Sequence, residues 1–501
     1  MKKLFNYHPS KWEALSFLLI PIFFGFLTAL SFDNDIWFLI NTGRTILHDG
    51  FITIDQFTIH NNLSLVIQQW IPDVIFYLSY SAIGKSGPYI ITNILNIYLV
   101  FITYRLLMVV TDNKRNLSVL ITFIISIIIS FSFVVARPQM FSLSILVTEL
   151  YILESYTINK NKKILYLLPV LSLLMINCHA SMWFLLFCFM IPFIMENIGI
   201  NIGKITSSKK DNKLLLCIMA IMFLCGFINP YGIQAITYVF TSYGVEVIDL
   251  FITEMMAPDV HTLRGLVSYA IVFAVYLLYL VFNNKKLHLR HFLLLIGTTY
   301  LAISSYRGIE FFAIGGIYSL GYYFKNKFFY VSEPNNKNGF YFYLFMIILL
   351  LISFSYINLN QELLIMDSSM KTGIDKLTSD NDVSNIRLYC NYGECNYAEY
   401  LGIKVYIDSR AEIFLKANNK KSDILEELYM LQNGHIYYKD FLDKYNFTHL
   451  LVKENDYLYH LLLHDSDYEI YYRGIESRKD YKISSASDIR YNYIVFKKVS
   501  K

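Results

Sequence analysis

The 501-residue chain is 55% hydrophobic and 16% charged, with a mean hydropathy of +0.42. That is too apolar for an ordinary soluble domain and points to a polytopic membrane protein. The net charge of +4 is spread along the chain, which argues against a nucleic-acid partner.

Apolar stretches of membrane-spanning length recur from Ala14 to about Asn358, each using roughly 20 residues to cross the hydrocarbon core. They read as about eleven spans, at 14–32, 88–110, 117–135, 139–157, 163–177, 180–198, 213–229, 265–283, 291–305, 308–324 and 340–357. With the N-terminus inside, the inner loops and flanks hold Lys2, Lys3, Lys114, Arg115, Lys162, Lys163, Lys209, Lys210, Lys285 and Lys286, among others. The outer connections before the last span hold only Arg44, Lys85, Arg137, Arg264 and Arg307. This positive-inside bias sets the orientation and places the C-terminal region outside. Met1-Lys2-Lys3 and Ala29-Leu30-Ser31 loosely resemble the ends of a cleaved signal peptide, but with ten further spans behind them a retained first helix is expected.

With that orientation, the unusual polar groups collect on the outer face. They are Asp33-Asn34-Asp35, Arg137-Pro138-Gln139, Asn177-Cys178-His179, Asn229-Pro230-Tyr231-Gly232, Glu254, and Arg307 near Glu310. The spans read as apolar through their middles, whereas a transporter is expected to carry ionisable groups near the midplane. The first outer loop is long, from Asp33 to about Gly87. Within it, Phe38, Leu39, Thr42, Ile46 and Leu47 share one helical face, and Trp70–Ile83 forms a second apolar stretch. Both are expected as helices lying on the membrane surface. A short true span is the alternative for the second, and it would invert every later loop.

From about Gln361 the composition turns charged and tyrosine-rich. Ile386–Tyr389, Lys404–Ile407, His449–Val452, Glu469–Tyr472 and Tyr491–Lys497 read as strands, and Asp423–Gln432 and Asp456–His464 as helices. The expected organisation is residues 1–360 as a transmembrane domain, including the long outer loop 33–87, and residues 361–501 as an extracytoplasmic α/β domain. Cys178, Cys188, Cys217 and Cys225 read as small apolar residues. Cys390 and Cys395 lie in the outer domain, where a disulfide is chemically permitted.

Each polar group also has a plain reading. Asp33 and Asp35 can cap a helix end, or hold Mg²⁺ or Mn²⁺ through carboxylate oxygens. His179 can be a satisfied interfacial histidine, Glu254 a solvated acid, and Arg137 and Arg307 snorkelling cations. Asn229-Pro230-Tyr231-Gly232 reads first as a helix stop and turn. Asp408 and Arg410 follow a strand end, where α/β sheets place binding groups, but a mutual salt bridge is equally open.

A span, an outer aspartate and then an amphipathic helix ending in Gly50 resemble the start of a GT-C glycosyltransferase, as in protein O-mannosyltransferases and the lipid A aminoarabinose transferase. The pattern is more similar still to a bacterial branch of that superfamily. Its carriers are Asp33-x-Asp35-x-Trp37 with Thr42-Gly43, Asp55-x-Phe57, Gln69-Trp70, Arg137-Pro138-Gln139 and Asn177-x-His179. Asn229-Pro230-Tyr231-Gly232, Ile252-x-Glu254 and Val405-x-Ile407-Asp408-x-Arg410 follow in the same order. Gln69 stands where the pattern has Glu, and the Cys390–Tyr400 stretch lacks the usual glycine pair.

The resemblance implies a polytopic α-helical GT-C-like fold. The implied activity is transfer of a sugar from a polyprenyl-phosphate carrier to an envelope glycan, lipid or protein at the outer face of a bacterial plasma membrane, usually with inversion. Asp35, with Asp33 beside it, is then the candidate base for the acceptor hydroxyl. Arg137, Arg264 and Arg307 can fork onto the donor phosphate. His179, Glu254, Asp55, Asp408 and Arg410 become candidate substrate-binding residues. Membrane lipid is an implied partner, and no cofactor is required beyond the Mg²⁺ or Mn²⁺ that Asp33 and Asp35 could hold. The alternative is a non-catalytic or transport protein for envelope polymers or lipids.

Overall fold

The computed structural model describes residues 15–29, 34–130, 133–242, 245–282, 286–325, 368–474 and 492–499. The last expected span, 340–357, lies outside the described residues. The chain folds into two compact units. One comprises Met1–Ser31, Lys85–Val239 and Ile252–Gln361; the other comprises Phe32–Gly84, Phe240–Phe251 and Glu362–Lys501. The long first loop, which the sequence groups with the membrane part, therefore packs with the C-terminal part.

The first unit is helical. Ser86–Val110, Gln139–Asn159 and Leu263–Leu280 are long and apolar enough to cross a membrane, and shorter apolar helices occupy Leu19–Thr28, Arg115–Ser130, Lys163–Cys178, Ala180–Met195, Lys213–Cys225 and Leu289–Ser304. Ser86–Val110 packs along Gln139–Asn159, while Ile94, Phe101, Phe273 and Leu280 point outward and stay exposed. Apolar side chains directed outward suit a lipid surround.

One expectation about these helices is corrected. Their interiors are not free of charge: Glu149 and Glu154, both on Gln139–Asn159, are fully buried. Glu154 accepts from Arg290 Nε at 3.1 Å and from the Tyr318 hydroxyl at 3.0 Å, with His291 Nε2 2.9 Å away. Glu196 accepts from Arg290 Nη1 at 3.2 Å and from the Arg290 backbone N–H at 3.0 Å. Glu149 has no hydrogen-bond partner among the described residues. Hydropathy averages over a carboxylate whose partner lies far away in the chain, so this network is invisible to a window scan.

The second unit is built on a five-stranded mixed sheet. Its order is Lys404–Val405, Arg387–Tyr389, His449–Lys453, Tyr493–Lys498 and Tyr468–Arg473. Arg387–Tyr389 runs parallel to both its neighbours, and the remaining pairings are antiparallel. These strands fall where alternating and β-branched runs place them. Ile424–Gln432 and Tyr457–Leu462 are helical as expected, and Ser368–Asp380 and Tyr438–Tyr445 are further helices that the sequence did not signal. The outer loop protects the sheet edge: Ile59 N–H donates to the Val405 carbonyl at 2.9 Å, pairing Thr58 with Val405.

The two loop helices, Asp35–Asp49 and Trp70–Ile83, pack on each other and the first also on Asn396–Tyr400. Trp37 sits among Tyr80, Tyr397 and Tyr400, with ring centroids 5.7, 4.9 and 5.2 Å away. Phe38, Leu39, Thr42 and Ile46 of the expected apolar face are buried against protein and only Leu47 stays exposed, which corrects the reading of that whole face as laid on lipid. Gly43 explains the Thr42-Gly43 pair: a Cβ there would lie 2.1 Å from the Asp73 carbonyl, so only glycine allows the helices to approach so closely. In the same unit, Cys390 and Cys395 are joined by a disulfide.

Candidate functional site

In the helical unit, residues that the sequence reading assigned to the outer face meet around Glu254. Arg137 Nη1 lies 3.1 Å from Glu254 Oε2. Burial raises the Glu254 pKa, but Arg137, Arg307 and Arg264 more than offset it and hold the carboxyl below its usual range. Arg307 is carried beside them by backbone pairing: its N–H donates to the Glu254 carbonyl at 3.1 Å, and Tyr306 N–H to the Met256 carbonyl at 2.9 Å. Arg307 Nη2 donates to Gln139 Oε1 at 2.5 Å, and its Nε lies 3.9 Å from Glu310 Oε1. Arg264 stacks over Tyr306, 4.9 Å from the ring centroid. Three guanidinium groups facing Glu254 and Glu310 leave a surplus of positive charge. Such a surplus is suited to an anionic ligand.

His179 is buried and shares a 2.8 Å hydrogen bond with Ser142 Oγ, so the satisfied-histidine arrangement is present. Asn229 bonds its own turn, donating to the carbonyls of Gly226 and Gly232 at 2.7 and 3.1 Å, which makes the Asn-Pro-Tyr-Gly stretch a helix stop.

The second unit holds the other set. Asp33 lies outside the described residues. Asp35 opens the helix Asp35–Asp49, and its Oδ1 accepts from Asn396 Nδ2 at 3.4 Å. Asn396 is fully buried. It also donates to Ser409 Oγ at 2.6 Å and to the Asn34 carbonyl at 3.2 Å, tying the head of that helix to the segment after the edge strand.

Asp55, Asp408 and Arg410 come together. Arg410 Nη2 lies 2.8 Å from Asp55 Oδ1, Arg410 Nε donates to both Asp408 oxygens at 3.1 Å, and the Arg410 N–H donates to Asp408 Oδ1 at 2.7 Å. The mutual salt bridge left open by the sequence is formed, with Asp55 as a third member. Thr58 anchors Asp55 through its hydroxyl at 2.6 Å and its N–H at 3.0 Å. Burial raises the Asp55 pKa, yet Arg410 and Thr58 outweigh it and the net shift is downward.

Two further acids complete this cluster. Glu399 is 2% exposed and takes a 3.0 Å hydrogen bond from Asn41, and Asp73 is fully buried. Burial, then repulsion from Asp408, pushes the Glu399 pKa well above the carboxylate range, and burial alone does so for Asp73. Four carboxyls crowd one guanidinium out of water, and for these two the shift favours the protonated form. Sequence reasoning missed Asn41, Asp73, Asn396 and Glu399. Asn41 and Asp73 each sit beside a noted motif, but nothing local marks their partners.

Among the described residues, no group of three or more His, Cys, Asp or Glu side chains is placed to hold a metal ion. Of the two aspartates that could bind Mg²⁺ or Mn²⁺, only Asp35 is described.

No protein-family model matches the chain, and no curated protein matches it by sequence. Solved structures do match in shape. Archaeal oligosaccharyltransferase AglB from Archaeoglobus fulgidus, in complex with an inhibitory peptide and a dolichol-phosphate, superposes with a TM-score of 0.53 at 11% identity, over 88% of this chain and 69% of that one. The A. fulgidus oligosaccharyltransferase in complex with Zn and sulfate gives 0.51 at 11% identity, over 87% and 68%. The fold is shared with an oligosaccharyltransferase. At 11% identity the likeness is one of architecture, and the chemistry rests on the residues themselves.

Proposed function

We propose that this chain is a GT-C-type glycosyltransferase that moves a sugar from a polyprenyl-phosphate-linked donor to a cell-envelope acceptor at the outer face of the plasma membrane. The observation that carries the reading is the convergence of Arg137, Arg264 and Arg307 on Glu254, in a chain that shares the fold of an oligosaccharyltransferase whose structure is known in complex with a dolichol-phosphate. In this reading the donor phosphate lies against the arginines, and Glu254 holds them in place between turnovers. As the glycosidic bond to phosphate breaks, negative charge grows on the leaving group, and the preorganised guanidiniums stabilise it. Asp35 takes the acceptor proton as the new bond forms. The Asn396 amide orients its carboxylate.

The disulfide between Cys390 and Cys395 supports an extracytoplasmic site for the second unit, because such bonds persist in oxidising compartments. It agrees with the orientation drawn from lysine and arginine placement. Asp408 and Arg410 are proposed as structural supports for the acceptor side, acting through the Asp55 cluster.

One observation favours the transport alternative. Glu149 sits midway along a helix of spanning length, is fully buried and lacks a hydrogen-bond partner among the described residues, and ionisable residues within spans commonly mark ion or substrate pathways. A direct assay separates the two. Purified protein given a polyprenyl-phosphate sugar and isolated envelope acceptor forms a glycosylated product if it is a transferase. If it is a transporter, it moves substrate across proteoliposomes without changing it.

A further inference from the structure

The parallel part of the sheet has a geometrical singularity. From Arg387–Tyr389 the chain goes first to the neighbour on one side, Lys404–Val405, and only later to the neighbour on the other, His449–Lys453. The crevice beyond the carboxyl ends of Arg387–Tyr389 and His449–Lys453 is therefore a topological switch point, where open α/β sheets bind their ligands. A cavity of about 380 Å³ occupies that crevice, lined by the ends of the two strands and the segments that follow them, by Leu431 and Gln432 of the helix Ile424–Gln432, and by Phe251. Its volume is in the range of small-ligand sites, about 300–1,000 Å³.

The cavity is built from polar groups held in fixed orientations. Glu394 is 7% exposed; Lys453 and the Tyr493 hydroxyl hold its Oε1 at 2.6 and 3.3 Å, while its Oε2 is buried with no hydrogen-bond partner among the described residues. Asn391 donates to Asp456 Oδ2 at 2.8 Å and accepts from Gln432 Nε2 at 3.0 Å, which locks its amide. Phe251 packs against Tyr392 with ring centroids 5.7 Å apart, and the Tyr457 ring is exposed at the rim. Amides and carboxyls take paired hydroxyls, and flat rings take the C–H face of a sugar. This lining suits a carbohydrate better than an apolar or purely anionic ligand.

The cavity wall is also tied to the segment carrying Asp35. Asn34 Nδ2 donates to the carbonyls of Gly393 and Glu394 at 2.5 and 3.1 Å, and Asn396, which opens the helix just after the Cys390–Cys395 loop, reaches Asp35. We propose that this switch-point cavity is a saccharide-binding subsite that holds a sugar unit of the acceptor. The acceptor role rests on the glycosyltransferase reading; the binding of a sugar does not.

The test uses the full-length protein in detergent and a panel of free methyl glycosides of N-acetylglucosamine, mannose, galactose, rhamnose and glucuronate. Binding is read by saturation-transfer NMR on the wild type, on Asn455→Ala and Tyr457→Ala at the exposed rim, and on Glu394→Gln. The expected result is saturable binding of at least one glycoside, weakened about tenfold in each rim variant, as for one lost contact worth a factor of ten. Failure of every glycoside to bind the wild type overturns the inference, and so does binding unchanged in all three variants. Transfer from a polyprenyl-phosphate sugar is measured on the same samples. Binding that follows the variants without any transfer removes the enzyme reading and leaves the saccharide site standing. Transfer whose acceptor KM ignores all three substitutions overturns the acceptor role of the site and leaves the enzyme.

Discussion

Arg410 and Asp55, far apart in the chain, meet at 2.8 Å in the interior of the second unit, through the same Nη2 that also bonds Asp408, while Arg410 Nε donates to both Asp408 oxygens. This makes Val405-x-Ile407-Asp408-x-Arg410 a structural clamp between the sheet and the outer loop. Removing one member leaves a buried charge uncompensated, at a cost of about 3–5 kcal/mol. Arg410→Ala is expected to lower the melting temperature of the detergent-solubilised protein sharply and to reduce yield. A variant that melts like the wild type and loses only substrate affinity would return Arg410 to the binding residues.

The protonated acids in that cluster give stability a pH dependence of defined sign. Glu399 has a folded-state pKa raised well above its value of about 4.3 in an unfolded chain, so the folded form holds the extra proton. Stability from this group is complete below about pH 4 and is lost as pH rises toward the folded-state value, by up to about 1.4 kcal/mol per unit. Glu399→Gln cannot titrate. The stability difference between wild type and variant is expected to move in favour of the variant as pH rises from 5 to 8. Buried His60, whose pKa falls to about 4, is common to both and cancels. A difference that stays constant with pH would show that Glu399 is ionised in the fold.

Much of the second unit was legible because its signals are local. Strands such as His449–Lys453 and Tyr493–Lys498 follow apolar runs, and Ile424–Gln432 is opened by Asp423, whose side chain accepts the Glu426 N–H. Asp55, Asp408 and Arg410 could be singled out from sequence, and a salt bridge between the last two was one open reading, but Asp55 as its third member could not be read, since that depends on Thr58 lying beside Val405 at the sheet edge. Likewise Arg137, Glu254 and Arg307 stood out as isolated rim charges, while the backbone pairing of residues 254–256 with 306–307 that unites them has no local mark. The buried Glu154–Arg290 contact escaped for the same reason: each charge alone looks like a blemish in an apolar stretch.

The arginine cluster yields a prediction about the donor. Arg137→Ala and Arg307→Ala are expected to lower kcat by about 10²–10³, the range for deleting one preorganised electrostatic contact to a developing charge. Arg307→Lys is expected to recover little, because a lysine cannot fork onto two oxygens. Kinetics with a defined polyprenyl-phosphate sugar checks this, and near-normal turnover in Arg137→Ala would remove the phosphate from this location.

Orientation is open to a simple experiment. Reporter fusions at Lys209 and at Lys501 are expected to score on opposite sides of the membrane, with Lys209 inside. Agreement between the two would contradict the charge-based orientation and the outer placement of the disulfide.

The proposed chemistry depends most directly on Asp35. Asp35→Asn keeps the shape and hydrogen-bonding reach of the side chain while abolishing its basicity. If Asp35 accepts the acceptor proton, transfer per folded molecule falls by about 10²–10⁴ with donor binding retained. If it only caps its helix, about 1 kcal/mol of stability is lost and turnover survives. The deciding measurement is glycosyl transfer by equally folded, purified wild type and Asp35→Asn, with and without added Mg²⁺ or Mn²⁺. A loss of at least a hundredfold under both conditions is the expected result; turnover near that of the wild type would contradict the mechanism.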